Sequence, residues 1–506
     1  MKILSAEQIR ALDAYTMAQE PLGSLDLMER AALTFVQWFV QQFPDTDAPV
    51  HIFCGPGNNG GDGLAVARLL HQQFYTITIW ICEISAQTSP DFQANLERLP
   101  QRSELTLHTL VPQAPLPALP TGIILVDAIF GSGLNRPVAG YWADLLTHLN
   151  EQPIVRVAID VPSGLFADQH TTGACIRAHY TFSFEMPKLA FFFPENQDAV
   201  GEWHHASIGL NTDFIARTPT PFHLVDAAFA QRLLHPRRKF NHKGTFGHAL
   251  LVVGSYGKVG AAILAARACL RSGVGLVTVH APKSAYPILQ MSIPEAMVSV
   301  DQHEFYLSEI PNLTPYKAIG IGCGLDQRQT TLQALEMLLE KSTRPLVLDA
   351  DALNLLARHR HLLPKIPPRS ILTPHVREFE RLFGNTSDDF ARNTLQREQA
   401  QALGVYIVLK GAHTCTATPE GDGYFNTTGN PGMATGGSGD VLTGIITGLL
   451  AQSFTPLNAA LLGVYLHGRA GDLAAATMGE DALIASDIIQ HLGQAFLHCK
   501  AYDAPK

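Results

Sequence analysis

Charged residues and long hydrophobic runs are both scarce in this chain of 506 residues. Only 16% of the residues are charged, and 36 Lys and Arg against 45 Asp and Glu leave a net charge of −9. A mildly acidic chain has no general attraction to nucleic acid or to anionic lipid, so we expect no nucleic-acid partner. No apolar stretch approaches the ~18 residues of a membrane span, and the N-terminus lacks the apolar core of a signal peptide. The sequence therefore predicts no membrane association.

Cysteine is also sparse, and its spacing forms no pattern. The seven cysteines are odd in number and scattered, and no CxxC occurs. This favours reduced, mostly buried thiols over a disulfide framework or a zinc site. We therefore expect a cytoplasmic protein, and the sequence leaves open whether it is a monomer or a homo-oligomer.

The hydrophobic residues, 46% of the chain, form short apolar runs that alternate with helical patterns. This alternation is typical of α/β layers around a largely parallel sheet. At roughly 100–200 residues per domain, the length allows two to four domains. The predicted strands are Val50–Cys54, Ile77–Cys82, Ile123–Val126, Val155–Ile159, Ala249–Val253, Leu276–Val279, Ala318–Ile321, Leu346–Leu348, Ile371–Leu372 and Ile407–Leu409.

A proline-rich and basic segment divides this pattern. It lies within 211–242 and ends in the basic run Arg237–Lys239, after which the strand–helix alternation restarts. We place the boundary at 215–225 and predict two domains, 1–220 and 221–506. A second proline-rich stretch, 112–120, predicts a surface loop between a helix and the next strand.

A glycine-rich loop, Gly55–Gly63, follows the first predicted strand and precedes a helical segment, 64–70. Unpaired backbone N–H groups at such a helix start form a natural anion site. The loop also matches the GxGxxG pattern of dinucleotide-binding dehydrogenases, with Glu83 at the end of the next strand. A plain strand-to-helix turn is the alternative, and Asp62 is equally well read as a helix N-cap.

Two further predicted strands lead into an aspartate and then a loop. Asp127 precedes the loop 131–137, and Asp160 precedes 161–164. Because ligands of open α/β sheets bind at the carboxyl ends of the strands, the two carboxylates and the glycine loop predict one shared site. A helix cap or turn former is the alternative for each aspartate taken alone.

Together the segments GPGNNGGDG, VDAIFGSGLNR and AIDVPSGL resemble the NAD(P)H-hydrate epimerase family, over roughly residues 5–215. The resemblance implies a Rossmann-like three-layer sandwich that interconverts the R and S hydrates of NADH and NADPH at C6 of the nicotinamide ring. It implies Asp160 as the acid/base, and a potassium ion held by the oxygen donors of Asn59, Asp127 and Ser163. The implied cofactor contacts are Asn58, Asn59, Gly60, Gly61, Asp62, Gly131, Ser132, Gly133, Leu134, Asn135, Arg136, Pro137 and Asp160.

A second glycine-rich run, 432–440, precedes an apolar helix predicted at 441–450. Its N–H groups can hold phosphate oxygens while Asp440 accepts a proton from a hydroxyl group. The alternative for Asp440 is a helix N-cap. Lys410 ends the strand before it and can reach nucleotide phosphates, and a surface lysine is the alternative.

The pairing of KGAHT at 410–414 with GSGD at 437–440 resembles the ribokinase-like fold, and within it the ADP- or ATP-dependent NAD(P)H-hydrate dehydratases. The resemblance covers roughly 225–500 and includes NHKGTFG at 241–247, 254–262, 320–324, 349–354 and 373–375. Taken singly, Asp349 and Asp351 could be cap residues and His375 a buried histidine with satisfied hydrogen bonds.

This second resemblance implies a phosphorylation followed by an elimination. Asp440 would deprotonate the C6 hydroxyl, which attacks the terminal phosphoryl group of ADP or ATP, and phosphate would then leave. Magnesium would bridge the nucleotide phosphates. The implied AMP contacts are Lys410, Gly411, Ala412, His413, Thr414 and Gly439, and the implied contacts to the hydrated cofactor are Ala261, Gly324, His375 and Asp440.

The two resemblances in one chain predict a bifunctional NAD(P)H-hydrate repair enzyme, with a ribokinase-like α/β domain after the Rossmann-like one. A ribokinase-like small-molecule kinase with a non-catalytic N-terminal nucleotide-binding module is the main alternative. A dehydrogenase, based on GxGxxG and Glu83, is a weaker one because no second catalytic domain of that kind is recognisable.

Overall fold

The computed structural model describes residues 1–20, 22–100 and 105–502. The chain divides into two compact units. One comprises Lys2–Thr220 with Asp388–Phe390, and the other comprises Met1, Pro221–Ser387 and the chain from Ala391 onward. We call them the first and second domain.

The first domain is built on a seven-stranded parallel sheet. Its strands are β1 (Val50–Cys54), β2 (Ile77–Cys82), β3 (Thr106–Leu110), β4 (Ile124–Ala128), β5 (Val155–Ile159), β6 (Tyr180–Phe184) and β7 (Glu202–Ala206), in the order β3-β2-β1-β4-β5-β6-β7. Its helices are α1 (Ala6–Gln19), α2 (Ser24–Gln42), α3 (Asn58–Gln72), α4 (Pro90–Glu97), α5 (Tyr141–Glu151), α6 (Gln197–Val200) and α7 (Thr212–Arg217).

Apolar side chains cover both faces of this sheet, which makes the domain a three-layer sandwich. Phe35 and Phe39 of α2, Leu64 of α3 and Phe92 of α4 pack on one face. Leu145 and its neighbours on α5 pack on the other. This arrangement explains the continuous apolar runs in the sequence, because strands buried on both faces need apolar residues at every position.

The second domain contains a ten-stranded sheet. Its strands are β8 (Phe222–Val225), β9 (His248–Val252), β10 (Leu276–Ala281), β11 (Met297–Val300), β12 (Ala318–Ile321), β13 (Leu346–Leu348), β14 (Ile371–Leu372), β15 (Tyr406–Leu409), β16 (Cys415–Ala417) and β17 (Gly423–Asn426), in the order β11-β10-β9-β12-β13-β14-β15-β16-β17-β8. The pairs β15–β16 and β16–β17 are antiparallel, and the other pairs are parallel.

Ten helices accompany this sheet among the described residues: α8 (Ala227–Leu233), α9 (Val259–Arg271), α10 (Tyr286–Ser292), α11 (Gln329–Lys341), α12 (Ala350–Arg358), α13 (Val376–Phe383), α14 (Asp389–Leu403), α15 (Ser438–Ala451), α16 (Pro456–Met478) and α17 (Ala485–Lys500). Helices α9, α15, α16 and α17 share one core, and α11, α12 and α13 share the other. No helix in the described ranges is both long and apolar enough to cross a membrane.

The structure excludes two alternatives raised for the glycine-rich loops and corrects one detail of the chain order. Helix α3 begins at Asn58, inside the glycine loop, so Asp62 lies within the helix and is not its N-cap. Helix α15 begins at Ser438 after the cap residue Gly437, so Asp440 is not an N-cap either. The proline-rich stretch 112–120 follows strand β3 and not a helix. The apolar pattern alone did not locate the starts of α3 and α15 or the strand β3.

Candidate active sites

The strand order of the first sheet reverses between β1 and β4, and this position determines where a ligand can enter. Successive strands run outward from β1 through β2 to β3, and in the opposite direction from β4 to β7. A crevice opens at such a switch point, outside the carboxyl ends of the strands. The glycine loop after β1 and the loop after β4 both leave the sheet there.

Several glycines of the first loop are required for close packing. A Cβ atom on Gly60 would lie 1.7 Å from the Gly55 carbonyl oxygen, and one on Gly55 would lie 1.9 Å from the Ile129 carbonyl oxygen. These close approaches join the start of α3 to the loops after β1 and β4. Gly57 and Gly133, in contrast, have open space at their Cβ positions.

A cavity of about 580 Å³ occupies this crevice. Seven of the residues predicted from the sequence line it, namely Asn58, Asn59, Asp62, Gly131, Ser132, Gly133 and Asp160. The predicted contacts Gly60, Gly61, Leu134, Asn135, Arg136 and Pro137 are not among its lining residues. The loop 131–137 therefore contributes its first half to the cavity wall.

Asp160 is held at the cavity by a buried lysine that the sequence analysis missed. The Asp160 backbone has φ of +61°, an uncommon value for a residue other than glycine. Its Oδ1 accepts a hydrogen bond of 2.8 Å from Lys188 Nζ, and Lys188 is 1% exposed. Lys188 Nζ also donates to Ser183 Oγ at 2.8 Å. A strained backbone and a buried ion pair that line a cavity together are typical of a functional position.

Four more carboxyl groups line the same cavity, those of Asp13, Asp62, Asp91 and Glu185. Burial and the neighbouring Asp160 carboxylate raise the pKa of Asp62 well above its usual range. Burial, Asp160 and Glu185 raise the pKa of Asp13 on α1 to about 7, against the opposing charge of Lys188. Asp13 belongs to none of the motifs recognised in the sequence, so it was not among the predicted site residues.

The predicted potassium ligands meet around the backbone of Phe130. Asn59 Nδ2 donates to the Phe130 carbonyl oxygen at 3.0 Å, and Ser163 Oγ accepts from Phe130 N at 2.8 Å. Ser163 donates to both carboxylate oxygens of Asp127, through Oγ at 2.5 Å and through N at 2.7 Å. Asp127 is fully buried, and burial raises its pKa to about 6 despite the hydrogen bonds from Ser163 and Ile129.

The second sheet has a similar switch point between β9 and β12. The segments that leave the carboxyl ends of its strands carry the residues quoted above as motifs. Gly254 follows β9, Gly322–Gly324 follow β12, Asp349 follows β13, His375 lies beyond β14, and Lys410 follows β15. The order of motifs along the chain is thus the order of loops along one sheet edge.

Asp349 accepts hydrogen bonds from Lys410 and from helix α15, the two candidates for phosphate binding at this sheet edge. Its Oδ1 accepts from Lys410 Nζ at 2.8 Å, and its Oδ2 accepts from Thr443 Oγ1 of α15 at 2.8 Å. Asp349 occupies the N-cap position of α12, but its carboxylate makes no capping hydrogen bond there and is used by Lys410 and Thr443 instead. Burial lowers the pKa of Lys410, but the carboxylates of Asp349 and Glu378 outweigh it and the net shift is upward. Lys410 is therefore a fixed cation beside the glycine turn.

The start of α15 brings backbone N–H groups and Asp440 to the same place. Gly437 adopts φ of +94°, and the Cβ position of Gly439 lies 3.4 Å from Lys410 Nζ. Asp440 lies in the first turn of the helix. Burial raises its pKa to about 6; a hydrogen bond from the Cys323 thiol and the charge of Lys410 oppose this shift, and Asp349 adds to it.

The remaining predicted residues surround this centre. His375 is an exposed N-cap of α13, whose Nδ1 accepts from the N–H groups of residues 377 and 378, so it is not a buried histidine. The Cβ position of Gly324 lies 3.0 Å from Ala261 Cβ. Thr414 Oγ1 donates to the Gly411 carbonyl oxygen at 3.0 Å and closes the β15–β16 turn.

Three more residues of the second domain belong to the motifs quoted from the sequence. Asp351 accepts from Asp326 N at 2.9 Å and from Gln327 Nε2 at 2.8 Å, which holds the loop after β12 in place. Ala412 and His413 lie in the turn between β15 and β16, where His413 Nδ1 is 3.2 Å from the Asn426 carbonyl oxygen. The hydrogen bonds of this turn therefore hold the backbone beside Lys410 in place.

Comparison with known proteins decides the family. The model for the YjeF-related protein N-terminus matches residues 24–190, and the model for NAD(P)H-hydrate dehydratase matches residues 249–493. The bifunctional NAD(P)H-hydrate repair enzyme of Moorella thermoacetica is 36% identical over 97% of this chain and 96% of its own length. The chain belongs to the bifunctional NAD(P)H-hydrate repair enzymes.

A further relative matches most of the chain, and one solved structure matches about half of it. The bifunctional NAD(P)H-hydrate repair enzyme of Escherichia coli is 34% identical over 92% of this chain and 88% of its own length. A crystal structure of the ADP/ATP-dependent NAD(P)H-hydrate dehydratase from Bacillus subtilis, co-crystallized with ATP and Mg²⁺, is 33% identical. It covers 55% of this chain and 98% of its own, with a TM-score of 0.49. The relatives that match over the full length include both halves of the chain, and the resemblance read from the sequence is confirmed.

Proposed function

We propose that this repair enzyme restores hydrated NADH and NADPH in two steps. Its first domain, residues 1–220, epimerises the R and S hydrates at C6. Its second domain, residues 221–506, dehydrates the S epimer at the expense of ADP or ATP and releases phosphate. The observation that carries the proposal is that both family models match one chain, each on a domain with an acid/base candidate at its switch point. We place this activity in the cytoplasm.

In the first domain, Asp160 is our candidate for the group that moves a proton at C6. Its position in the cavity supports this role, as does the 2.8 Å hydrogen bond from Lys188, which fixes the carboxylate. Asn58–Asp62 and Gly131–Pro137 would hold the cofactor. Asn58, Asn59 and Gly131–Gly133 are favoured for direct contact because they line the cavity.

The group around Asp127 has the donor set that a potassium ion requires. The Asp127 carboxylate, Ser163 Oγ and the Phe130 carbonyl oxygen are hard oxygen donors, and Ser163 Oγ lies within hydrogen-bonding distance of the other two. Asp127 is buried without a cationic side chain among its described hydrogen-bond partners. A bound monovalent cation would compensate this charge, so the residues fit the ion. Asn59, Asp127 and Ser163 would hold it and so order the loop after β4.

In the second domain, Asp440 is our candidate general base. With a pKa of about 6 it is ionised at neutral pH and can take the proton of the C6 hydroxyl. The hydroxyl oxygen then attacks the terminal phosphoryl group of a nucleotide, which brings magnesium as its counterion. Elimination of phosphate follows and restores the dihydropyridine ring. Phosphorylation is useful here because phosphate is a far better leaving group than hydroxide.

Lysine and glycine groups around Asp440 suit the nucleotide. We assign Lys410–Thr414 and Gly439 to the AMP part, because the Lys410 ammonium lies at the start of α15 with its N–H groups. We assign Ala261, Gly324, His375 and Asp440 to the hydrated cofactor. The close approach of Gly324 to Ala261 supports a common surface for these two.

One assay tests both activities. The full chain is incubated with a mixture of R and S NADH hydrates, ADP and magnesium, and recovery of the dihydronicotinamide absorbance is followed. Full recovery, faster than spontaneous epimerisation, is expected. Recovery of the S fraction alone would refute the epimerase, and no recovery would refute the dehydratase. A small-molecule kinase would release no phosphate from this mixture.

A further inference from the structure

Helix α1 presents one face to the first cavity, and that face carries an acid. Ile9, Arg10, Asp13, Ala14 and Met17 line the cavity, which corresponds to one stripe of a helix. The helix begins with a capping box at Ser5, so its start is fixed. Asp13 is therefore directed into the cavity by a well-defined element.

Asp13 shares the cavity with Asp160 and has few restraints of its own. No hydrogen bond to its carboxyl group is found within the described ranges, in contrast to Asp160 with its bond from Lys188. The charged groups that line the cavity with Asp13 are Asp160, Lys188, Glu185, Asp62, Asp91 and Arg10. Carboxylates outnumber cations in this set, so one carboxyl group is favoured to keep its proton.

Inversion at C6 of the hydrate can be catalysed by an acid on one face of the ring and a base on the other. The C6 carbon bears a hydroxyl group and is bonded to N1, whose lone pair can expel that hydroxyl group. Protonation of the hydroxyl oxygen lets water leave and gives an N1=C6 iminium bond. Water then adds from the other face and gives up a proton, which yields the opposite epimer without oxidation or reduction.

We propose that Asp13 is a second catalytic residue of the epimerase, acting as the acid opposite Asp160. This inference rests on the epimerase activity proposed above. The Asp13 carboxyl proton goes to the departing C6 hydroxyl, and the proton of the entering water goes to the Asp160 carboxylate. The proton returns from Asp160 to Asp13 through solvent after each turnover. A carboxyl group without hydrogen bonds among the described residues, beside a carboxyl group held by a lysine, is suited to this division of roles.

The ionisation of Asp13 gives this proposal a pH signature. Its pKa of about 7 lies above the usual range for an aspartate, so it holds a proton below pH 7 and loses it above. Epimerisation should therefore decline on the alkaline side with an apparent pKa near 7. A purely structural role for Asp13 would not place such a limb in the rate profile.

The test uses the full chain and two substrates. Epimerisation is measured by chromatography from pure R NADH hydrate without nucleotide, across pH 6–9, with the uncatalysed rate subtracted. Dehydration is measured separately from S hydrate with ADP and magnesium. The variants are Asp13→Asn, Asp13→Glu and, as a control on the exposed side of the same helix, Glu7→Gln.

We expect Asp13→Asn to slow epimerisation at least ~10²-fold and to remove the alkaline limb, with dehydration within about twofold of the unchanged chain. Asp13→Glu should retain measurable epimerisation with a displaced alkaline limb, and Glu7→Gln should behave as the unchanged chain. An Asn variant within tenfold of the unchanged chain would overturn the proposal.

The variant Asp13→Glu tests the proposal even if Asp13→Asn does not fold. Should Asp13→Asn unfold the first domain, as seen by thermal unfolding, Asp13→Glu decides, because an alkaline limb at its original pH would overturn the role of Asp13. Absence of epimerisation in the unchanged chain would instead refute the proposed function itself.

Discussion

The pH dependence of dehydration should follow the ionisation of Asp440. Burial raises the pKa of this carboxyl group to about 6, and only the ionised form can accept the proton of the C6 hydroxyl. The rate at saturating nucleotide should therefore rise with pH through 6 and level off above 7. Below pH 6, each unit should cost about tenfold, because the ionised fraction falls by that factor.

The substitution Asp440→Asn removes the base and keeps the shape of the side chain. We expect dehydration to fall at least ~10²-fold, which corresponds to about 2.7 kcal/mol of activation free energy. The residual activity should lose its dependence on the ionisation near pH 6. Epimerisation should be unchanged, because Asp440 and the first cavity belong to separate domains.

The assay is the recovery of absorbance from pure S hydrate with ADP and magnesium, from pH 5 to 8. Asp481→Asn, at an exposed position in the same domain, is the control for a general loss of charge. A rate that stays level down to pH 5 would refute the reasoning. So would an Asp440→Asn variant that retains more than a tenth of the activity with the same profile.

Three further predictions concern the first domain. Lys188→Met leaves the Asp160 carboxylate without its cation, and we expect about 3 kcal/mol lower stability in urea and loss of epimerisation. Gly60→Ala places a Cβ atom 1.7 Å from a carbonyl oxygen and should cost about 2 kcal/mol, whereas Gly133→Ala, with open space, should leave stability unchanged. Replacing potassium by choline should slow epimerisation and not dehydration, and Asp127→Asn should abolish this dependence; equal rates in both salts would argue against the ion.

The sequence predicted the buried strands well because their apolar runs are short and bounded by glycine, proline or aspartate. Strands β1, β2, β5, β12, β13 and β14 have the predicted bounds. It missed β3, β6, β7, β8, β11, β16 and β17, of which β3, β7 and β11 are only partly buried and carry polar residues. Short edge strands lack a pattern that distinguishes them from loops.

The candidate sites were predictable where a motif lies next to its strand. Asp160, Lys410 and Asp440 lie at the sheet edges expected from the order of the elements. Lys188 was not predictable, because a single lysine in an apolar segment gives no sign that it pairs with a residue 28 positions earlier. Asp13 was missed for the same reason, since its role depends on where α1 packs.

The reactivity of the buried thiols can be used to measure local opening of this chain. Cys54 and Cys82 lie in the first sheet, and Cys269, Cys323 and Cys415 lie in the second domain; all are free and buried. Burial raises the pKa of each, so that a thiol reagent can react only when the surrounding structure opens. Labelling rates, read cysteine by cysteine, would therefore measure the opening of each domain separately. Slower labelling of Cys323 after addition of ADP would show that nucleotide binding makes opening of the second domain less frequent. Unchanged labelling of Cys54 and Cys82 would show that the effect is confined to that domain.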